Sequence, residues 1–318
     1  MASEIREEHL DLQDMRGLLY SMVAAFTKAI DERTPYNASH TMQVAGYVRG
    51  MVRFLNRRYE KTGQEPHFSS AQEEQIVMAA YLHDVGKLVI PLEVMNKANR
   101  LGQGGRERIH ERYLLLKAYL DIDRLEGRLP AQECFRQQAE LEELEERIGK
   151  ADGQSAVPQQ EILYFTEMGK RKYTGKDGAV IPWLTRTELQ NLQIAKGTLN
   201  EEERRIMEYH AVATEKILQE IRFGRQYESV LEIVGAHHEF LDGSGYPKGL
   251  QEREIPPGAR ILTIADIYDS LVATDRPYKR PMSMQTAKRI LGEMAQKGKL
   301  DRELTALFCT YLDERRVE

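Results

Sequence analysis

Eight histidines are spread over the 318 residues, and five of them, His40, His83, His210, His237 and His238, stand in apolar helical contexts. The other three, His9, His67 and His110, lie in strongly polar stretches. Asp84 and Asp266 join the five. Asp266 sits inside the apolar run from Ile261 to Tyr268, where an uncompensated carboxylate is costly to bury. Imidazoles and carboxylates without cysteine are the donor set of borderline-hard divalent cations such as iron, manganese, nickel or zinc, and these seven side chains suffice for two ions.

The densest piece is HDVGK, residues 83 to 87, after the uncharged run Ile76 to Leu82. Adjacent helical residues point about 100° apart, so His83 and Asp84 are poorly placed to chelate one ion but can serve two neighbouring ions, with the carboxylate bridging. Lys87 follows His83 by four residues, on the same helical face. Metals would repel a cation there unless an anion binds too, and that anion is the candidate substrate. The device repeats at SVLEIVGAHHEFLDGSGYP, where an apolar helix ends in His237 and His238, with Glu239 behind them, and breaks into a glycine-rich loop. Each group alone has a plainer reading: His-Asp as a helix cap with a core histidine, His40 as a capping or surface residue, His210 as a core-edge residue. The ligand reading rests on their company.

Helices must bring these groups together. Residues 4 to 32 read as one long amphipathic helix, with Leu10, Met15, Leu18, Leu19, Met22, Val23, Phe26 and Ile30 at spacings of three, four and seven; it either packs on the core or connects to an upstream sensor or partner. Turn signals at Pro35 and Asn37 precede a helix carrying His40 in its first turn, with Asn37 and Ser39 as capping residues. IVMAAYLHDVGK reads as one buried helix. Asn200 and Glu203 form a capping-box pattern, so the helix bearing His210 should begin near Glu201. ARILTIADIYDSLVATDRPYKRP carries Asp266, Asp269 one turn on, then Arg276, Lys279 and Arg280. Residues 105–129 and 131–150 predict two helices joined at Pro130, a projecting hairpin with charged free faces, and Asp177-Gly178 signals a small β-hairpin. The expected class is all-α: a connecting helix at 1–35, a catalytic domain from 36–101 and 197–318, and an insertion at 102–196.

Composition narrows the partners. A chain that is 41% hydrophobic and 30% charged is expected to fold as a soluble protein with one large core or two modest ones. Its apolar stretches fall far short of the ~20 residues that cross a bilayer, and the acidic start EIREEHLDLQD is no secretory signal. Cys134 and Cys309 lack metal or disulfide spacing, which suits a reducing cytoplasm. A net charge of −5 argues against a nucleic-acid polymer and leaves room for a small anion held by locally concentrated cations.

Taken together, HDVGK, HHEFLDGSGYP, ADIYDS and DRPYK resemble the signature of the HD-GYP phosphodiesterases, a branch of the HD metal-hydrolase superfamily, over about residues 15 to 101 and 197 to 312. The resemblance implies an HD-type helical bundle with metals in its core, and cyclic di-GMP as substrate, hydrolysed to pGpG and on to GMP. It implies His40, His83, Asp84, His210, His237, His238 and Asp266 as metal ligands, with Asp84 and Lys87 catalytic and Lys87 near the scissile phosphate. Lys87, Gly243, Tyr246, Arg276 and Lys279 are the implied substrate contacts, and Glu239, Asp242 and Asp269 the implied supports of the ligands. Tyr36 stands where three-metal members carry a glutamate, so two divalent ions are expected, iron or manganese ahead of nickel or zinc. Such ions lower the pKa of bound water from about 15.7 to about 7, and a hydroxide bridging them is the expected nucleophile. The insertion, before GTLNEEE, departs from the usual family chain and resembles that of an elongated subgroup; a lid, a dimerisation arm and a regulatory surface are its open readings. Docking to diguanylate cyclase (GGDEF) domains and a homodimer are the other expected associations. Two alternatives stand beside this one: a phosphodiesterase for another cyclic dinucleotide such as cyclic GMP-AMP, and a non-catalytic cyclic di-GMP sensor, against which the full ligand set weighs.

Overall fold

The structure, a computed structural model, describes residues 17–30, 32–33, 39–61, 63, 67–274 and 281–315. Tyr36, Arg276, Lys279, Arg280 and His9, with the first part of the expected 4–32 helix, lie outside the described residues. Among the described residues the chain forms two compact units, one running to Ile90 and resuming at Ile206, the other Pro91–Arg205.

In the first unit, α1 (residues 17–30) buries Val23, Thr27 and Ile30 along one face and exposes Leu18, Met22 and Phe26. Helix α2 (His40–Lys61) buries Val44, Ala45, Val48, Met51, Val52 and Leu55, the three-and-four spacing of a core-facing stripe. Helix α3 (Ser70–Leu82) starts at a capping box in which Ser69 accepts from Gln72 N and Gln72 returns the bond to Ser69 N. From Gln75 to Leu82 only Tyr81 escapes full burial, so α3 is the central helix, packed against α2. The expected helix through Lys87 does not continue. It stops at Leu82, and Val85–Val89 is a 3-10 turn closed by Lys87 N donating to Asp84 O at 2.9 Å. The reason is Gly86, where a Cβ would come within 2.0 Å of His210 O and 2.5 Å of Thr214 N. Such close backbone approach redirects the chain, and apolar periodicity carries no sign of it.

Seven further elements follow in the second unit: α4 (Leu92–Met95), α5 (Gly105–Leu125), α6 (Ala131–Asp152), α7 (Gln159–Met168), the antiparallel pair β1 (Lys172–Thr174) and β2 (Val180–Pro182), and α8 (Arg186–Leu192). The expected β-hairpin is present, with Gly178 at φ +80 in its turn. The predicted helix pair is present too, but it does not stand alone. Ile109, Tyr113, Leu116, Leu120, Leu141, Leu144 and Ile148 share a core with Phe165, Trp183, Leu184 and Leu192. Nor are its free faces wholly charged, because Leu114, Leu115, Ile122, Leu125 and Phe135 are exposed.

Helix α9 (Glu201–Gln219) begins where its capping box requires, with Glu203 N donating to Asn200 Oδ1 and Asn200 N to Glu203 Oε2, both at 2.9 Å. In the first unit α10 (Val230–Gly235) packs on α3, α11 (Pro257–Val272) packs on α2, and α12 (Met284–Gln296) with α13 (Arg302–Arg315) closes the bundle. Among the described residues strands are confined to one short hairpin, so the fold class is all-α, as expected. No helix among the described residues is long and apolar enough to cross a membrane.

Candidate metal centre

The ends of α3 and α10, the start of α2, and the middles of α9 and α11 converge. His40, His83 and Asp84 form one triad and His210, His237 and His238 another, each with one donor atom per residue inside a 4.8 Å span. Asp84 stands between them: Oδ2 is 3.2 Å from His83 Nε2 and 3.5 Å from His40 Nε2, while Oδ1 is 3.5 Å from His210 Nε2. Asp266 spans the same gap, with Oδ1 3.2 Å from His40 Nε2 and Oδ2 3.9 Å from His238 Nδ1. His210 and His238 meet through their Nε2 atoms at 3.1 Å.

Local backbone geometry decides which nitrogen each ring offers. The Nδ1 atoms of His83, His210 and His237 contact the carbonyls three residues earlier, Ala80 O, Met207 O and Val234 O, at 2.6 to 2.7 Å. A carbonyl can only accept, so Nδ1 carries the proton and the Nε2 lone pair points into the cluster. His40 reaches the same tautomer through Asp269 Oδ2, 2.6 Å from its Nδ1, a carboxylate-histidine pairing characteristic of metal sites. The Nε2 atoms of His83 and His237 are buried without a hydrogen-bond partner. Unsatisfied buried polar atoms are costly, and divalent cations would satisfy both, so the donor set fits two ions.

Protonation agrees with that fit at the second triad and at the two carboxylates. Burial holds His237 well below the usual histidine range and brings His238 down to about 3, and it also lowers His210. Burial acts on His40 in the same direction, but its bonds to Asp266, Asp269 and Asp84 outweigh it and raise its pKa. Burial would raise Asp84, yet its neighbours His83 and Lys87 and its contact with His40 push it well below the carboxylate range; His40 does the same to Asp266. Ionised carboxylates beside the neutral rings of His210, His237 and His238 are the form in which such ligands bind metal, and at His40 a bound cation would take the place of the second proton.

Lys87 Nζ lies 2.5 Å from Asp84 Oδ2, so its partner across the turn is the aspartate three residues back. The ring of Tyr246 is centred 4.7 Å from that of His238 and 6.4 Å from that of His210. Glu239 folds the loop that carries it: its carboxylate accepts from Lys248 N at 2.6 Å and Leu250 N at 3.0 Å. Asp242 caps the same loop through Ser244 N and Oγ, and Gly243 turns it with φ +76. At Gly245 a Cβ would meet Phe240 N, the Cα of Glu239 and His238 O within 2.6 Å, so the loop closes tightly on the histidine pair. Away from the cluster, exposed His110 pairs with Glu145 and His67 stacks on Tyr59.

Two supporting residues escaped sequence reasoning. Thr214 Oγ1 donates to His83 O at 3.0 Å and accepts from Gly86 N at 2.9 Å, and Thr263 Oγ1 donates to His237 O at 2.7 Å. A hydroxyl on the apolar face of a helix was the available signal, and in Thr263, flanked by Leu262 and Ile264, it is visible in the sequence.

The HD domain models match residues 37–146 and 186–304. Among curated proteins, the chain is 36% identical over 142 residues to a 3'3'-cGAMP-specific phosphodiesterase 3 of Vibrio cholerae, covering 42% of this chain and 30% of that protein. It is also 36% identical over 132 residues to a cyclic di-GMP phosphodiesterase of Thermotoga maritima, covering 37% of this chain and 34% of that protein. The chain thus spans about a third of the length of these two relatives. A crystal structure of a V. cholerae cyclic GMP-AMP-specific phosphodiesterase aligns with TM-score 0.43 and 13% identity, over 93% of this chain and 49% of that one. With HDVGK and HHEFLDGSGYP folded at one centre and HD models matching both stretches that bear them, the chain belongs to the HD domain family, on its HD-GYP branch.

Proposed function

We propose that this protein is a metal-dependent phosphodiesterase that opens a cyclic dinucleotide, cyclic di-GMP in the first instance, to its linear form, pGpG, and on to GMP. The observation that carries this reading is the paired triads His40/His83/Asp84 and His210/His237/His238, with one oxygen of Asp84 turned toward each. The seven ligands would hold two divalent cations, iron or manganese before nickel or zinc. When bound, such ions supply Lewis acidity and a water acidified to a pKa of about 7.

The chain's own residues do the rest. Ala80, Met207 and Val234 carbonyls and Asp269 fix the histidine tautomers. Lys87, beside the buried Asp84, offers a cation to the non-bridging phosphoryl oxygens as charge develops on them. Tyr246 presents an aromatic face next to the histidines, suited to a base or ribose, and Glu239 and Gly245 hold that face in position.

A second substrate, 3'3'-cyclic GMP-AMP, is favoured by one observation: the relative with that specificity matches as well as the one acting on cyclic di-GMP. Anaerobically prepared, metal-replete protein incubated with each dinucleotide, its products separated by chromatography, tests both. The expected result is a linear dinucleotide from at least one. Tight binding of either without turnover, at two metals per chain, would replace the enzyme reading with a sensor.

A further inference from the structure

We infer that Arg33 is a positioning residue for Lys87, an inference that rests on the role just proposed for that lysine. Arg33 follows α1, and its half-buried guanidinium gathers three backbone carbonyls of the turn after HDVGK. Nη1 donates to Lys87 O at 3.1 Å and also to Leu88 O, and Nη2 donates to Ile90 O at 3.3 Å. The last carbonyls of a helical turn have few partners within it; Lys87 O accepts from Ile90 N as well as from Arg33, and a cationic side chain there both bonds these carbonyls and suits their negative end of the dipole.

Between Gly86 and Ile90 the turn lies toward solvent. Lys87 is partly exposed, Leu88 and Val89 are exposed, and beside the 3-10 bonds of the turn itself its side-chain anchor is the fully buried Ile90. A planar guanidinium reaches carbonyls at both ends of the turn from two separate nitrogens in a fixed fork, a geometry that the single nitrogen of an ammonium does not reproduce. Arg33 therefore sets the backbone from which the Lys87 side chain reaches Asp84 Oδ2. The preceding helix is itself tied to α3, since Thr27 Oγ1 donates to Tyr81 O at 3.3 Å, two residues before His83. The position of α1 is thereby read at the lysine as well as at the helix that ends in the first ligand pair.

Two measurements on the full chain test this. In Arg33→Ala, hydrogen exchange at the Lys87 and Ile90 amides should speed up by about tenfold or more while the buried amides of α2 and α3 keep their protection; Arg33→Lys should restore only part. This arm needs neither metal nor substrate. In the metal-loaded enzyme, Arg33→Ala should lower kcat by about tenfold with KM and metal content unchanged, and should cost nothing further in a Lys87→Ala background, the signature of residues acting as a unit. Unchanged exchange in the turn, or an equal fold-loss in both backgrounds, overturns the inference. Should Arg33→Ala not fold, Arg33→Gln, which keeps one donor group, carries both arms. If wild-type protein hydrolyses neither dinucleotide, the proposed function fails while the exchange arm still decides whether Arg33 holds the turn.

Discussion

The hydroxyl of Thr214 donates to the backbone carbonyl of His83 across 3.0 Å while it accepts from Gly86 N. One side chain on α9 thus satisfies two buried backbone groups of the HDVGK segment, at the place where α3 ends and the 3-10 turn begins. Thr214→Val keeps the shape and removes both bonds, leaving a buried N–H and a buried C=O unpaired. The expected cost is about 2 kcal/mol, read as a lowered midpoint of thermal or denaturant unfolding, and Thr214→Ser should recover most of it. Equal stability of the valine and wild-type proteins would show that the turn is held elsewhere.

Asp84 and Lys87 touch, yet their removal should have separable effects. Asp84→Ala takes away the carboxylate shared between the triads, so metal content and turnover should vanish together. Lys87→Ala leaves every proposed ligand in place and should retain full metal content while kcat drops on the order of 10²-fold, the scale of losing one donor to a developing anion. Elemental analysis beside product chromatography separates the two. Full activity from metal-stripped Asp84→Ala protein would remove the mechanism.

The convergence of His40, His83, Asp84, His210, His237, His238 and Asp266 was legible because each stands out against an apolar helix, and because the same device, a helix ending in two donors, occurs twice. The helix start at Asn200 was also readable, since capping bonds are local. The break after Leu82 was not. It depends on Gly86 meeting α9, more than a hundred residues away, while the apolar pattern runs on unchanged. The core of Pro91–Arg205 was hidden for the same reason: Phe165, Trp183 and Leu192 complete a hydrophobic surface begun by α5 and α6, and hairpin periodicity cannot name partners that arrive later in the chain. Asp269 could be placed one turn from Asp266, but its contact with His40 Nδ1 required the fold.

Glu239 offers a test of the loop. Its two carboxylate oxygens accept from Lys248 N and Leu250 N, charge-assisted bonds that close the segment carrying Tyr246. In Glu239→Gln the side-chain NH2 faces one of those donors, so one bond is lost and two N–H groups repel each other in its place. The expected outcome is a loop cut faster in limited proteolysis between Asp242 and Gln251, a several-fold higher KM for dinucleotide, and unchanged metal content. A loss of metal with no change in proteolysis would instead make Glu239 a support of the histidines.

Asp152 provides a pH-dependent signature in Pro91–Arg205. Its side chain is buried, with Oδ1 accepting from Leu101 N at 2.8 Å. Burial raises its pKa above the ordinary carboxylate value, and the Leu101 bond and the charges of Arg106 and Arg100 offset that only in part. A carboxyl whose folded pKa is raised binds its proton more tightly in the native state, so its contribution to stability falls as pH rises from the unfolded value, near 3.8, through the higher folded one, and stays low above that window. Asp152→Asn keeps an acceptor for Leu101 N and carries no charge. Relative to wild type, the variant should gain stability as pH is raised through that interval and hold the gain at neutral pH, measured by urea unfolding at a series of pH values. A variant that instead loses ground with rising pH would mean that attraction from Arg100 and Arg106 outweighs burial at this carboxylate.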